Sequence, residues 1–215
     1  GLNTNFRNSL FFNRGKQHHS TTYSFLLNES QNLLSVGSIS AKNQSHQLQY
    51  QHLVKKSWLF NFSGSTTSTE STSENYPNRN FEIDGYQIEP KIGYLFSKNA
   101  SWDIFYEFQQ KENQIGAFET LKQTRLGTSF TFNSEKGFSM NGEFSMYNNS
   151  YDGNTLSAVG FQMLEGLQPG KNQTWRLLLQ KNLTQYLDVN INYQGRNSET
   201  SKTIHTGNIQ LRAFF

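Results

Sequence analysis

Hydrophobic and polar residues alternate one by one along most of this chain, and period-two alternation sends successive side chains to opposite faces of a β-strand. The pattern is clearest near the end, where Leu187, Val189, Ile191 and Tyr193 fall on one face and Asp188, Asn190, Asn192 and Gln194 on the other. The final segment sets Ile209, Leu211, Ala213 and Phe215 against Asn208, Gln210, Arg212 and Phe214. Trp102, Ile104, Tyr106 and Phe108 alternate with Asp103, Phe105, Glu107 and Gln109. Ile88, Pro90, Ile92, Tyr94 and Phe96 do so with Gln87, Glu89, Lys91, Gly93 and Leu95, and Phe138, Met140, Gly142, Phe144 and Met146 with Ser139, Asn141, Glu143 and Ser145. Weaker runs begin near Phe6, Tyr23, Leu48, Trp58, Leu126 and Trp175.

Two kinds of punctuation separate the runs. Short turns are predicted at 13–16, 55–57, 97–101, 133–137 and 181–185, and longer polar links at 28–45, 66–80, 111–118, 148–173 and 195–202. Short turns alternating with long links are the signature of an outer-membrane barrel, whose periplasmic turns are short and external loops long. The predicted fold is therefore all-β: an antiparallel up-and-down transmembrane β-barrel of about 11 or 12 strands, each roughly 9 to 13 residues, a length that crosses a bilayer when tilted. Residues 1–215 form one barrel domain, with 148–173 as an external loop over its mouth. An odd strand number leaves first and last strands running the same way, so an even barrel needs one more ascending strand before Gly1. Counting Leu156 to Leu164 as a strand is the alternative. The favoured expectation is the missing strand, with the chain as the C-terminal portion of a longer polypeptide or a barrel of unusual closure.

Composition sharpens this picture. Aromatics make up 14% of residues, with 18 Phe and 10 Tyr, yet the hydrophobic share is 34% and the mean hydropathy −0.71. A soluble β-sandwich or solenoid, the alternative that also alternates, would fill its core with Val, Ile and Leu. Here the apolar faces are rich in rings, and Trp58, Tyr94, Phe96 and Trp102 stand beside short turns, as interfacial aromatics do. No run approaches the roughly 18 apolar residues of a membrane-spanning helix. With no Cys, disulfides and thiolate metal sites are excluded. A net charge of +3 does not imply nucleic acid, and none is expected as a partner.

The ending, with Gly207, Ile209, Leu211, Ala213 and Phe215 at every second position, resembles the C-terminal β-signal of bacterial outer-membrane proteins. The resemblance implies recognition by the barrel-assembly machinery through strand pairing, a form of β-augmentation. A narrower resemblance covers roughly the last 50 residues. The run Met163-Leu164-Glu165-Gly166-Leu167-Gln168-Pro169-Gly170-Lys171-Asn172, then Thr174-Trp175, Tyr193-Gln194-Gly195-Arg196 and Ile204-His205-Thr206-Gly207 before Ala213-Phe214-Phe215, is similar to the tail of long, poorly characterised outer-membrane proteins of Bacteroidota. That family implies a barrel following a large N-terminal region, and it supplies no catalytic residues.

Candidate chemistry is sparse. The wet strand faces carry Arg7, Lys91, Arg125, Arg176 and Arg212 together with Glu89, Asp103, Glu107, Glu143 and Asp188, a balanced set expected to line the lumen as a salt-bridged network. His18, His19, His46, His52 and His205 stand in no triad or metal-ligand spacing, so neither a catalytic residue, a metal site nor a cofactor is expected. Asn-x-Ser/Thr matches such as Asn61-Phe62-Ser63 are what chance gives in so Asn-rich a chain. The 148–173 excursion holds Val159, Phe161, Met163, Leu164 and Leu167, apolar residues that should fold over the barrel mouth or meet a partner. The expected function is a non-enzymatic membrane anchor or subunit of an envelope complex for secretion, assembly or uptake. A small-solute channel and a soluble binding module are the alternatives. The expected partners are outer-membrane lipid and lipopolysaccharide, the assembly machinery during insertion, and other envelope proteins.

Overall fold

The structure, a computed structural model, describes residues 1–13, 18–34 and 37–213. Eleven strands follow one another in a single sheet whose spatial order is their order in the chain: β1 (Leu2–Phe12), β2 (His19–Leu34), β3 (Gly37–Val54), β4 (Trp58–Ser73), β5 (Phe81–Ser97), β6 (Ala100–Asn113), β7 (Thr120–Ser134), β8 (Phe138–Asp152), β9 (Gly170–Thr184), β10 (Leu187–Ser198) and β11 (Ser201–Ala213). Every neighbouring pair is antiparallel. This is the up-and-down architecture that the alternation predicts, with strands of up to 18 residues. Between β8 and β9 the chain forms a helix, α1 (Ala158–Leu164), so Leu156 to Leu164 is not a twelfth strand.

Several predicted links are strand instead. β3 and β4 pair from Val54↔Trp58 all the way to Ile39↔Ser73, and β6 pairs β5 up to Ile83↔Asn113. The reason is physical: where the wall rises beyond the apolar band both faces are wet, so alternation fades, while the backbone ladder and the β-branched threonines of 66–72 still favour extended pairing. The remaining connections at that end are 74–80, with a 3-10 turn at Pro77–Arg79, 114–119, 153–169 and 199–200; the opposite end has tight turns at 55–57, 98–99, 135–137 and 185–186. The predicted turn at 13–16 and the tip near 35–36 lie largely outside the described residues.

The faces separate by environment. Outward-pointing Trp102 and Ile104 are 48% and 52% exposed, whereas inward-pointing Glu107 and Gln123 are 6% and 7% exposed. A soluble protein buries the first kind and exposes the second, so this sheet is inside-out and its apolar side faces lipid. On β5 the outward band from Ile88 to Phe96 covers about 27 Å of strand, or roughly 20 Å along the membrane normal at a tilt of about 40°. Rings gather at its short-turn edge, where Tyr94 packs edge-on against Trp58 and Phe96 with ring centroids 4.9 and 5.0 Å apart.

β1 and β11 end the sheet. No register joins them among the described residues, and with eleven antiparallel strands they run in the same direction.

Candidate functional site: the lumenal face and its mouth

Register fixes which side chains share the inner face. Glu107 stands opposite Arg125, Glu143 opposite Arg176, and Asp188 opposite Arg212. Continuing the same parity through the sheet puts Arg7, Glu89, Lys91 and Asp103 on that face as well, so all ten charges singled out from the sequence share it. Arg125 is the hub. Its Nη1 donates to Glu107 at 3.3 Å, its Nη2 to Glu143 and its Nε to Ser145 at 3.1 Å, while its plane covers the Phe105 ring at 4.6 Å. Phe105 lies over Gly127, where a Cβ would stand 2.3 Å from the ring, so the bare backbone of β7 supplies the slot in which ring and guanidinium stack. Lys91 and Glu89 add a looser pair at 3.9 Å.

Further cations belong to this face although the sequence pattern puts them in links, among them Lys111, Arg196 and Lys202. Lys111 stands opposite Gly85 and Arg196 opposite Ile204, both inward. The signal was present, since Lys111 continues the parity of Asp103, Glu107 and Gln109. Counting them, cations outnumber carboxylates on the inner face, and the excess falls on β9 to β11 and β1, where Asp188 alone opposes Arg7, Arg176, Arg196, Lys202 and Arg212.

The mouth is filled from the β8–β9 connection. The Ser157 hydroxyl accepts the Gly160 N–H at 3.0 Å and caps α1, and Glu165 ends it in a left-handed conformation. Val159, Met163 and Leu164 turn inward and join Ile83 of β5 and Leu121 of β7 in the main apolar core among the described residues, flanked by Phe81 and Tyr151. Phe161, by contrast, is 64% exposed and Leu167 is half-buried, so the five apolar residues picked out in this loop do not act as one surface. Polar ties hold the segment: Lys111 to the Met163 carbonyl and the Glu165 carboxylate, Arg196 to the Gly166 carbonyl at 3.0 Å, and Asn149 to the Gln168 carbonyl at 3.0 Å. Beneath residues 165–167, which follow α1, lies a cavity of about 790 Å³ lined by glutamines together with Arg125, Arg176, Arg196, Glu107, Glu143 and Glu165.

The histidines sit elsewhere. His46 and His205 point outward and accept or donate at Nδ1 to the hydroxyls of Tyr23 and Tyr193, at 2.8 and 2.9 Å, and His19 and His52 are cross-strand neighbours on the same side. No group of three potential metal ligands occurs among the described residues. Of the terminal residues that resemble a β-signal, Gly207, Ile209, Leu211 and Ala213 occupy the outward face of β11, with Ile209 and Leu211 69% and 64% exposed; Phe215 lies outside the described residues, as does Phe214.

No family model matches this sequence, and no curated protein does. Among solved structures, the chain superposes on the siderophore receptor PiuA from Acinetobacter baumannii with a TM-score of 0.50 at 7% identity, covering 96% of this chain and 44% of that one. The fold is that of an outer-membrane β-barrel. The translocator domain of the autotransporter NalP from Neisseria meningitidis, with a TM-score of 0.44 at 10% identity over 99% of this chain and 81% of that one, and the NanC porin, with 0.46 at 12% over 98% and 99%, are also similar. The likeness is of fold alone. Together with a lipid-facing apolar band, the fold places the chain in a bacterial outer membrane.

Proposed function

We propose that this chain is the membrane-embedded wall of an envelope assembly, an anchor or barrel subunit of a secretion, assembly or uptake machine, and not a free diffusion pore. The observation that carries this reading is the apolar packing of Val159, Met163 and Leu164 on Ile83 and Leu121, because a lumen kept for bulk diffusion would have water at its mouth. Same-direction β1 and β11 support it too, since one ascending strand from outside the eleven would pair antiparallel with both edges. The outward band meets lipid and lipopolysaccharide, and the alternating end of β11 is the segment that the barrel-assembly machinery would read. A Bacteroidota source agrees with the resemblance of the last 50 or so residues.

Planar-bilayer recording tests the reading. The intact protein is expected to give almost no conductance, and deletion of 157–168 to open it; steady open-channel steps from the intact protein would overturn it. A small-solute path is the second reading, favoured by the polar cavity beneath residues 165–167.

A further inference from the structure

The lumenal charges are not spent evenly. On β5 to β8 most lumenal carboxylates find cations: Arg125 engages Glu107 and Glu143, Lys111 takes Glu165, and Lys91 lies 3.9 Å from Glu89, while Asp103 accepts from the Ser129 hydroxyl at 3.4 Å. Across the cavity, Arg176 forms no ion pair among the described residues, because Glu143, its register partner, is committed to Arg125. Among the described residues Arg196 meets only a carbonyl, that of Gly166. Both guanidiniums belong to the same face of one strand pair: Arg176 stands opposite Gln194, and Arg196, one step further along, opposite Thr174. Diagonal cross-strand neighbours have Cα atoms roughly 7–8 Å apart, close enough for two long side chains to meet one small anion.

We propose that the cavity beneath residues 165–167 binds a small hydroxylated carboxylate, of the sugar-acid type, between Arg176 and Arg196. A guanidinium without a carboxylate partner presents a donor fork that matches a carboxylate in both charge and geometry. The carboxylates in the lining are already engaged, Glu107 and Glu143 by Arg125 and Glu165 by Lys111, and the neutral polar groups beside them select for hydroxyls. Gln109, Gln194 and Thr206 each both donate and accept, as a sugar hydroxyl does, and such groups reward a polyol over an alkyl chain. The volume of about 790 Å³ falls within the range of small-molecule sites. Gly166 and Leu167 line the cavity on the side of α1, so the ligand would touch the segment that fills the mouth, through the Arg196 contact to Gly166. The proposal stands whether or not the barrel conducts, because it concerns occupancy and not passage.

Isothermal titration of the full protein in detergent micelles at low salt, with sodium gluconate as probe and glucose as its neutral counterpart, tests this. Gluconate is expected to bind saturably with a stoichiometry near one. Arg176→Gln and Arg196→Gln should each weaken it by about ten-fold or more, whereas Lys181→Gln, on the lipid-facing side of β9, should not. Retained heat-dependent gel mobility certifies that each variant is folded. Absence of saturable binding by the intact protein, undiminished binding by both folded arginine variants, or glucose binding as tightly as gluconate would each overturn the assignment. Conductance measured on the same preparations reports on the anchor reading separately.

Discussion

Lys111, near the mouth end of β6, donates from its Nζ to the Met163 carbonyl at 3.2 Å and to the Glu165 carboxylate, so one buried cation holds the C-terminal end of α1 to the barrel wall. A cation at a helix C-terminus is favourable in itself, and this one also satisfies a carbonyl that the end of α1 leaves over. Glu165 is 69% exposed, so solvent screens most of the ion-pair component and the carbonyl bond matters more. Lys111→Met should therefore weaken docking of α1 by about 1–2 kcal/mol. Limited proteolysis within 153–169 is expected to accelerate roughly 5- to 30-fold, since cleavage of an opened segment tracks its population. Glu165→Gln should produce a clearly smaller change, and equal rates for all three proteins would refute the latch.

Parts of this arrangement were legible in the sequence and parts were not, for reasons that particular residues make plain. Trp102 and Ile104 could be told from Asp103 and Glu107 because one side of β6 meets lipid and the other a polar lumen, the condition under which alternation is strongest. The strand through Thr66–Ser73 was hidden because both its sides are wet. Lys111 and Arg196 were lost with it, each falling just beyond the place where the apolar partner face stops. The α1 helix did carry a signal, Ser157 ahead of Val159, Met163 and Leu164 at helical spacing, but seven residues are too few to outweigh the surrounding period of two. Nothing local could have announced that Gly127 makes room for Phe105, since the two meet only across the β6–β7 register.

That slot gives a second prediction. A Cβ at Gly127 would lie 2.3 Å from the Phe105 ring and 2.8 Å from the Ser145 hydroxyl, and the ring in turn supports the Arg125 guanidinium. Gly127→Ala should destabilise the barrel by about 1–3 kcal/mol, the usual cost of overfilling a packed site. Gly207→Ala is the control, because nothing stands within 4 Å of its added methyl group. Urea unfolding in micelles, followed by the loss of heat-dependent gel mobility, should show a lowered midpoint for the first and an unchanged one for the second. Truncating the ring as well, in Phe105→Ala/Gly127→Ala, should make the Gly127 change cost less than it does alone.

A third prediction concerns pH at the open end of the β3–β4 pair, opposite its turn at 55–57. The backbone N–H of Ser38 donates to the Glu74 carboxylate at 2.8 Å, and this bond holds the Glu74 pKa below its ordinary value. A lowered folded-state pKa means that the bond stabilises fully above the ordinary carboxylate range and is lost as pH falls through the folded value. Hydrogen exchange at the Ser38 amide, corrected for the intrinsic effect of acid, should thus lose protection only once pH has fallen below the ordinary carboxylate range. Glu74→Gln should abolish that pH dependence while leaving the neighbouring ladder between Ile39 and Ser73 protected. A Ser38 amide whose protection stays flat down to pH 2 or so in the wild-type protein would rule the bond out.

The inside-out arrangement of the sheet makes the last prediction, and the sign is opposite to what a soluble protein would give. Ile104 stands in the outward band of β6, 52% exposed in the isolated chain, so in a sandwich or solenoid it would be an ordinary surface position tolerant of charge. In a bilayer the same side chain meets hydrocarbon. Ile104→Lys should cost about 2–4 kcal/mol, the range for a cation near the midplane of the lipid face of a barrel. Gln49→Lys, on the inner face of β3, should stay within about 0.5 kcal/mol because the added amine meets water and other polar groups. Folding yields into lipid vesicles, read by the folded band on unboiled gels across a urea series, separate the two. A lysine tolerated at 104 and rejected at 49 would mean that the faces are reversed, and equal tolerance at both would mean that no lipid meets this sheet.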